Sequence, residues 1–203
     1  MKLIGYMDSP YVRRVAVMAQ FFGVEYEHVE LSVFRDFDEL RKINPLVKVP
    51  TWVCDDGQVL IESGLIIDYL ESVTGSDRMM PSDETGYIRA LNIIGTAMVA
   101  NEKIVQLVYE LKHRPEDKQH PPFIDRIQSQ LAGALDRLES EVAGGEAWIF
   151  GQQIFEPDVT VAIAWRVSQF LFPDRAPADR YPGLVALSER AEALPEFQAC
   201  PIE

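Results

Sequence analysis

Every strand-forming run in this 203-residue chain lies before residue 77, and beyond Pro81 the pattern is helical to the end. A chain that gathers its strands at one end builds a sheet there, and must bury the remaining apolar surface by packing helices on helices. Residues 2–6 read as a strand, and Pro10–Phe22 as a helix with Val12, Val15, Ala16, Met18, Ala19 and Phe22 on its apolar face and Gly23 ending it. Residues 25–33 alternate as a second strand, and Phe37–Ile43 is a short helix stopped by Asn44-Pro45. Two short apolar runs, opening at Pro50 and Val59, are joined by Asp55-Asp56-Gly57 as a hairpin, and a helix follows from Ser63 to about Val73. The order β-α-β-α-β-β-α, with a parallel first pair and a hairpin second pair, predicts a mixed sheet with helices packed on it.

The turn-rich run Asp77-Arg78-Met79-Met80-Pro81 separates this part from the rest. The expected division is one domain over residues 1–77, a linker over 78–83 and an all-helical bundle over 84–203. Ser82 is placed to cap a long helix with Ile88, Leu91, Ile94, Met98, Val105, Val108 and Leu111 along one stripe, ended by His113-Arg114-Pro115. Pro121-Pro122 opens a second, with Ile124, Ile127, Leu131, Leu135, Leu138 and Val142 at three-four spacing before Gly144-Gly145. Pro157–Leu171 is apolar on nearly every side and is expected to be the central buried helix of this unit. Residues 183–194 supply a last amphipathic helix, and Cys200 is expected to lie in a mobile tail beyond it.

Hydrophobic residues make up 47% of the chain, ample for a core, and the formal net charge is −13. Both parts share the acidity, with 8 basic against 13 acidic side chains up to residue 80 and 11 against 19 beyond it. A phosphate-binding footprint for nucleic acid is therefore not expected. Cys54 and Cys200 have no His or Cys partner at ligand spacing, so neither a disulfide framework nor a metal site is expected, and a reducing cytoplasm is the simplest home. An acid at Asp8 interrupts the N-terminus before a signal-peptide core forms, and no apolar run approaches membrane-spanning length. A soluble cytoplasmic protein without membrane partners is the expectation.

Two residue pairs point to a ligand. Val49-Pro50 opens the third strand, where a proline either leaves the neighbouring backbone free of the ladder or marks a cis bond. Glu62-Ser63 follows the fourth strand directly, with Ser63 as a candidate N-cap of the next helix. A free strand edge beside an uncovered helix N-terminus suits an extended peptide that carries a carboxylate.

These motifs, with Ser9-Pro10-Tyr11-Val12-Arg13-Arg14-Val15 after the first strand and Asn44-Pro45 before Lys48-Val49-Pro50, resemble the cytosolic glutathione transferase family over the whole chain. The Ser-Pro-aromatic-x-Arg-x-Val form is similar to its serine-type branch, as in the plant tau class and many bacterial members. The resemblance implies a thioredoxin-like N-terminal domain with a cis-Pro50, a helical C-terminal bundle, a homodimer and a detoxifying role. It implies that Ser63 and the helix N-terminus take the γ-glutamyl carboxylate of glutathione, that Glu62 balances the ammonium, that Val49 pairs with the cysteinyl segment, and that Lys48 meets the glycyl carboxylate. Ser9 would then hydrogen-bond the sulfur and favour its thiolate for attack on an apolar electrophile. Tyr6, at the end of the first strand, is the alternative thiol activator.

The electrophile pocket is expected between the Ser9 loop, the long helix and the C-terminal segment, with Tyr11, Met98, Tyr109 and Phe170 as candidate lining. Arg13 and Arg14 fall on the first helix, where one could support the site or both could face solvent. A non-catalytic binding or regulatory member of the family, or a glutathione-dependent peroxidase, isomerase or dehalogenase, are the other readings. Met7-Asp8-Ser9 is not the Ser-Ser-Cys-type motif of the isomerase class, and no cysteine at this position suggests thiol exchange. Before the sixth helix, Phe155 stands where the family carries a hydroxyl while Asp158 is present, so a cap weaker by about 1 kcal/mol is expected there, with Ile154 and Val159 as a hydrophobic staple.

Overall fold

A computed structural model describes residues 1–75, 79–143 and 147–202. Contacts divide the chain into two units, residues 1–78 with 193–203, and residues 79–192.

In the first unit, β1 (Lys2–Ile4) is paired on both edges, parallel to β2 (Glu27–Val29) and antiparallel to β3 (Thr51–Val53). β3 pairs in turn with β4 (Val59–Ile61), giving the mixed sheet β2-β1-β3-β4. Buried Leu3, Ile4 and Trp52 supply its interior, and the apolar faces of α1 (Pro10–Phe21) and α3 (Ser63–Thr74) pack together. α2 (Phe37–Ile43) ends at Asn44 as the Asn-Pro pair predicts. The second strand is shorter than the alternation over 25–33 suggests, because only Glu27, His28 and Val29 have partners on β1.

Two expected caps sit one residue away from the residue named. Asp83, not Ser82, caps α4 (Glu84–Val108), its carboxylate accepting from Gly86 N at 2.8 Å. Glu62, not Ser63, is the cap residue of α3, and Ser63 is already helical.

The expected helical domain over 84–203 is too long at its end. Residues 193–203 belong to the first unit, and α8 (Pro195–Gln198) packs on α1. Phe197 is fully buried, with the Arg13 guanidinium over its ring, and Arg13 Nε donates to the Cys200 carbonyl at 2.8 Å. Cys200, expected in a mobile tail, is buried against Tyr26, and burial pushes its thiol up. Asp77, the last residue of the expected first domain, and Arg78, the first of the expected linker, lie outside the described residues, as do Gly144 and Gly145 after the fifth helix.

In the second unit, α4 packs against α5 (Pro121–Val142) and α6 (Glu156–Leu171), and α7 (Pro182–Glu192) packs on both α5 and α6. The last turn of the long helix widens to π geometry over Tyr109–His113. Buried Glu110 ties that turn to α5, accepting from Arg114 Nε at 2.7 Å and from His120 N at 2.9 Å. α6 is buried on all sides from Pro157 to Trp165, as its apolar circumference predicts. Asp158 accepts from Phe155 N at 2.9 Å and Ile149 N at 2.8 Å, while Phe155 offers no side-chain cap in return. The half-built cap keeps α6 starting at Glu156, beside Pro157.

Burial pushes the Asp158 carboxyl up to about 6, against the pull of those two N–H donors. An unfolded Asp titrates near ~3.9, so the native state holds this proton more tightly than the unfolded chain does. The resulting stabilisation is complete below about pH 4 and is lost as the pH rises through about 6. Urea unfolding of the wild type and of Asp158→Asn should therefore show the wild type gaining about 2 kcal/mol relative to the variant between pH 7.5 and pH 4.5. A difference that does not move with pH would show that the two N–H bonds cancel burial, and one that grows in the opposite direction that they outweigh it.

Candidate functional site

Strand register brings three loops to one end of the sheet. Ile4 and Ile61 both lie opposite Thr51, so the chain leaves β1 toward Ser9, enters β3 through Val49-Pro50 and leaves β4 into Glu62-Ser63, all beside the same row. The Val49–Pro50 peptide is cis. No hydrogen bond within the described residues uses the backbone N–H or C=O of Val49, which leaves an edge for an added strand.

Gly5 makes the convergence close. Its φ is +130°, and a Cβ there would lie 2.5 Å from Val12 Cγ2 and 3.0 Å from Val49 Cβ. The first turn of α1 and the Val49 loop thus meet over a backbone position that only glycine fits. His28 Nε2 donates to the Gly5 carbonyl at 2.7 Å, which holds this turn from the β2 side. Ser9 caps α1 with extended backbone, but its Oγ accepts from Val12 N only at a long 3.4 Å. The hydroxyl hydrogen takes no part in that bond, and it sits at the positive end of a 12-residue helix.

The Val49 loop is held from behind by buried Asn44. Its Nδ2 donates to Thr51 Oγ1 at 2.8 Å and to the Lys48 carbonyl at 3.2 Å, and its Oδ1 accepts from Leu46 N at 3.0 Å. The Lys48 carbonyl also accepts from Thr51 Oγ1 at 2.6 Å, so Lys48 is fixed by its backbone while its side chain is exposed.

At the third loop, Glu62 has φ +73°, and Oε2 accepts from Gly64 N at 3.1 Å and Leu65 N at 3.2 Å. A carboxylate therefore already lies on the α3 N-terminus, the electrostatics that N-terminus favours. Ser63 is 1% exposed, and its Oγ accepts from Arg14 Nη1 at 2.9 Å and lies 3.5 Å from Glu62 Oε1. Arg14 is itself 2% exposed, so the surface reading of the two arginines fails for both.

Sequence reasoning gave Gly5 and Asn44 no part in this site and left Arg14 undecided. An Asn before a Pro is a helix stop on its face, and an arginine on a helix is exposed by default. Only Gly5, a glycine inside the run read as the first strand, carried a readable signal of close backbone approach.

A cavity of about 300 Å3 opens beside the Ser9 loop, walled by Tyr6, Met7, Asp8, His28, Arg35 and Pro201 among others. The Arg35 guanidinium lies over the Tyr6 ring at 5.1 Å. None of the four expected electrophile-pocket residues lines this cavity. Tyr11 is half-buried on α1, Met98 half-buried on α4, and Tyr109 and Phe170 are 51% and 43% exposed in the helical unit. A larger groove of about 710 Å3 runs past Cys54 and Tyr69 at the opposite end of β3. Polar groups converge at the Val49 end, and convergence rather than volume places the candidate site there. Among the described residues no cluster of three or more His, Cys, Asp or Glu could hold a metal, and no helix is long and apolar enough to cross a membrane.

A four-stranded mixed sheet with a cis-proline loop facing a helix N-terminus, followed by a helical unit, defines a thioredoxin-like domain joined to an all-α one. Residues 3–77 match the glutathione S-transferase N-terminal domain. The chain is 28% identical over 200 residues to the uncharacterised GST-like protein YibF of Escherichia coli K12, covering 97% of this chain and 96% of that one. It is 26% identical over 211 residues to maleylacetoacetate isomerase of Pseudomonas aeruginosa, covering 98% and 94%. A Methylobacterium radiotolerans glutathione S-transferase, solved with glutathione sulfonate, superposes with a TM-score of 0.90 at 25% identity over 98% of this chain and 93% of its own. Residues 3–77 thus carry the glutathione S-transferase N-terminal domain, and over nearly its whole length the chain is similar to proteins of the glutathione transferase family.

Gly5→Ala should cost about 2–4 kcal/mol, combining strain at positive φ with overpacking against Val12 and Val49. Denaturant unfolding at neutral pH measures it. A cost below about 0.5 kcal/mol, the range of an indifferent surface change, would show that the close approach does not constrain the loops.

Proposed function

We propose that the protein is a glutathione transferase, and the observation that carries this is the convergence of Ser9, Val49 and Glu62-Ser63 on one end of the sheet. Glutathione lies along the free edge at Val49 as an added strand. Its γ-glutamyl carboxylate meets Ser63 at the α3 N-terminus, its ammonium is balanced by Glu62, and its glycyl carboxylate meets Lys48. The sulfur then reaches the N-terminus of α1, where the Ser9 hydroxyl donates to it. Lowering a thiol pKa from ~8.5 by about two units needs ~2.7 kcal/mol of preference for the thiolate, within reach of one charge-assisted hydrogen bond and a helix dipole. The thiolate attacks an electrophilic carbon and forms the C–S bond, the leaving group departs with the electron pair, and the thiol proton goes to solvent.

A glutathione-dependent isomerase is the second reading, favoured by the nearly full-length similarity to maleylacetoacetate isomerase. The polar walls of the cavity beside the Ser9 loop suit a charged second substrate better than the apolar electrophile expected from the sequence. Cytoplasmic detoxification fits the transferase reading, and Cys54 and Cys200 as free thiols fit a reducing compartment. A homodimer is supported by apolar side chains left exposed, Leu65 on α3 at 62% and Ile88 and Leu91 on α4 at 60% and 48%.

Calorimetry with glutathione and turnover of 1-chloro-2,4-dinitrobenzene test the leading reading. Ser9→Ala should lower kcat/KM about 100-fold and move the bound thiol's pKa, followed by thiolate absorbance, back toward ~8.5. If Tyr6→Phe does this and Ser9→Ala does not, Tyr6 is the activator; if folded wild type binds no glutathione, the reading falls. Turnover of maleylacetoacetate without conjugation would favour the isomerase. Light scattering should give twice the chain mass, and Leu65→Glu with Ile88→Glu should give the single chain.

A further inference from the structure

We infer that Arg13 is a positioning residue for the second substrate: from inside α1 it fixes the C-terminal wall of the cavity beside the Ser9 loop, and so sets the room a second substrate finds there. The inference rests on the proposal that glutathione delivers its sulfur to Ser9.

The wall is one short turn of chain. Ala199 and Pro201 line the cavity of about 300 Å3 together with Tyr6, Met7 and Asp8, the residues that lead into Ser9. Between them Cys200 is fully buried, as is Phe197 three residues earlier. Cys200 N donates to the Phe197 carbonyl at 3.0 Å, which closes the turn and sets these two inward residues against its outward pair. Pro201, whose ring fixes φ, stiffens the exit. The four residues of α8 are too few to hold such a turn by themselves, so its position must come from what the inward residues meet.

Arg13 meets both. Its guanidinium lies over the Phe197 ring, 5.6 Å from the centroid, and Nε donates to the Cys200 carbonyl at 2.8 Å. Arg13 is 0% exposed, and a buried cation that gave up an acceptor would bear an uncompensated charge, so the bond is strongly kept. The contact of Tyr26 Oη with Cys200 Sγ, at 3.9 Å, is weak beside it. The other end of the link is Ser9 itself. Arg13 N donates to the Ser9 carbonyl at 3.0 Å, closing the first turn of α1. One residue thus ties the proposed thiol activator to the wall through two short hydrogen bonds, and the reach of a single side chain sets the spacing between them.

The test compares two ligands by calorimetry: glutathione, and S-(2,4-dinitrophenyl)glutathione, the conjugate formed from 1-chloro-2,4-dinitrobenzene, which adds the aromatic group of a second substrate. In wild type the conjugate should bind the more tightly, and the ratio of the two affinities reads the cavity. Arg13→Met should reduce that ratio about 10-fold, because the wall is no longer ordered in advance, while changing glutathione less than about 3-fold. Arg13→Lys, which keeps the charge without the fork, should fall between. If Arg13→Met does not fold, Phe197→Leu, which takes the ring from under the guanidinium and keeps an apolar side chain in place, decides by the same ratio. Equal losses for both ligands would mean that Arg13 serves the scaffold alone, and no loss for either would mean that the cavity does not feel the wall; both outcomes overturn the inference. A wild type that binds glutathione and holds the conjugate no more tightly also overturns it, leaving the glutathione reading standing. A folded wild type that binds neither ligand overturns the glutathione reading first, and this inference with it.

Discussion

The double pairing of β3 is the constraint on which the rest of the candidate site depends. Three ladder residues on each edge set Ile4 and Ile61 opposite the same residue, Thr51. Strands lie ~4.8 Å apart, so the chain segments leaving Ile4, entering Thr51 and leaving Ile61 start within about 10 Å of one another. A slip of one residue would send Trp52 from the interior to the other face and separate the loops. Ladders this short supply few hydrogen bonds, so side chains help to hold the register. Thr51 Oγ1 is locked between Asn44 and the Lys48 carbonyl on one side, and Gly5 admits Val12 and Val49 at close range on the other.

Arg13 and Arg14 show how one helix can serve two buried purposes. Successive residues on a helix point about 100° apart, so adjacent guanidiniums leave α1 toward different neighbours. Arg13 reaches the C-terminal segment, stacking on Phe197 and donating to the Cys200 carbonyl, while Arg14 reaches Ser63 at the start of α3. A buried cation is costly unless its donors are used, and that cost makes each contact specific in direction. The helix that presents its N-terminus at Ser9 is thereby fixed against two elements besides the sheet.

Much of this was legible because it follows from periodicity and turn chemistry. Apolar runs and three-four spacing marked the strands and long helices among the described residues, and Pro10 placed the start of α1 correctly because proline is already suited to the first helical position. The misreadings have particular causes. Ser63 is the better cap by composition, but Glu62 takes the role by adopting φ +73°, a conformation that sequence does not announce for a non-glycine residue. At α4, Ser82 and Asp83 are adjacent and equally good caps, so propensity alone could not choose. The tail was read as mobile because Phe197 and Cys200 show no periodicity in so short a segment. In the fold they meet Arg13, which lies 187 residues from Cys200 and is beyond any local pattern.

The residues proposed for glutathione and those proposed for the second substrate differ in what fixes them. The part proposed for glutathione is built from backbone: the Val49 edge, the α1 and α3 N-termini, and a glycine whose lack of a side chain is its contribution. Changing it means changing the register of the sheet. The residues proposed from sequence to meet the second substrate are different, because they stand off the core stripes of their helices. On α4 the core is carried by Ala90, Ile93, Ala97, Ala100, Ile104 and Leu107, and half-buried Met98 lies beside that row. Tyr109 and Phe170 are more exposed still. Substitutions at such positions alter stability by within about 0.5 kcal/mol, whereas a core truncation costs several times more. A chain built this way can keep the elements proposed for glutathione while the positions proposed for the second substrate change. Relatives similar over almost the whole chain accordingly include a protein named as a maleylacetoacetate isomerase and one named as a glutathione S-transferase.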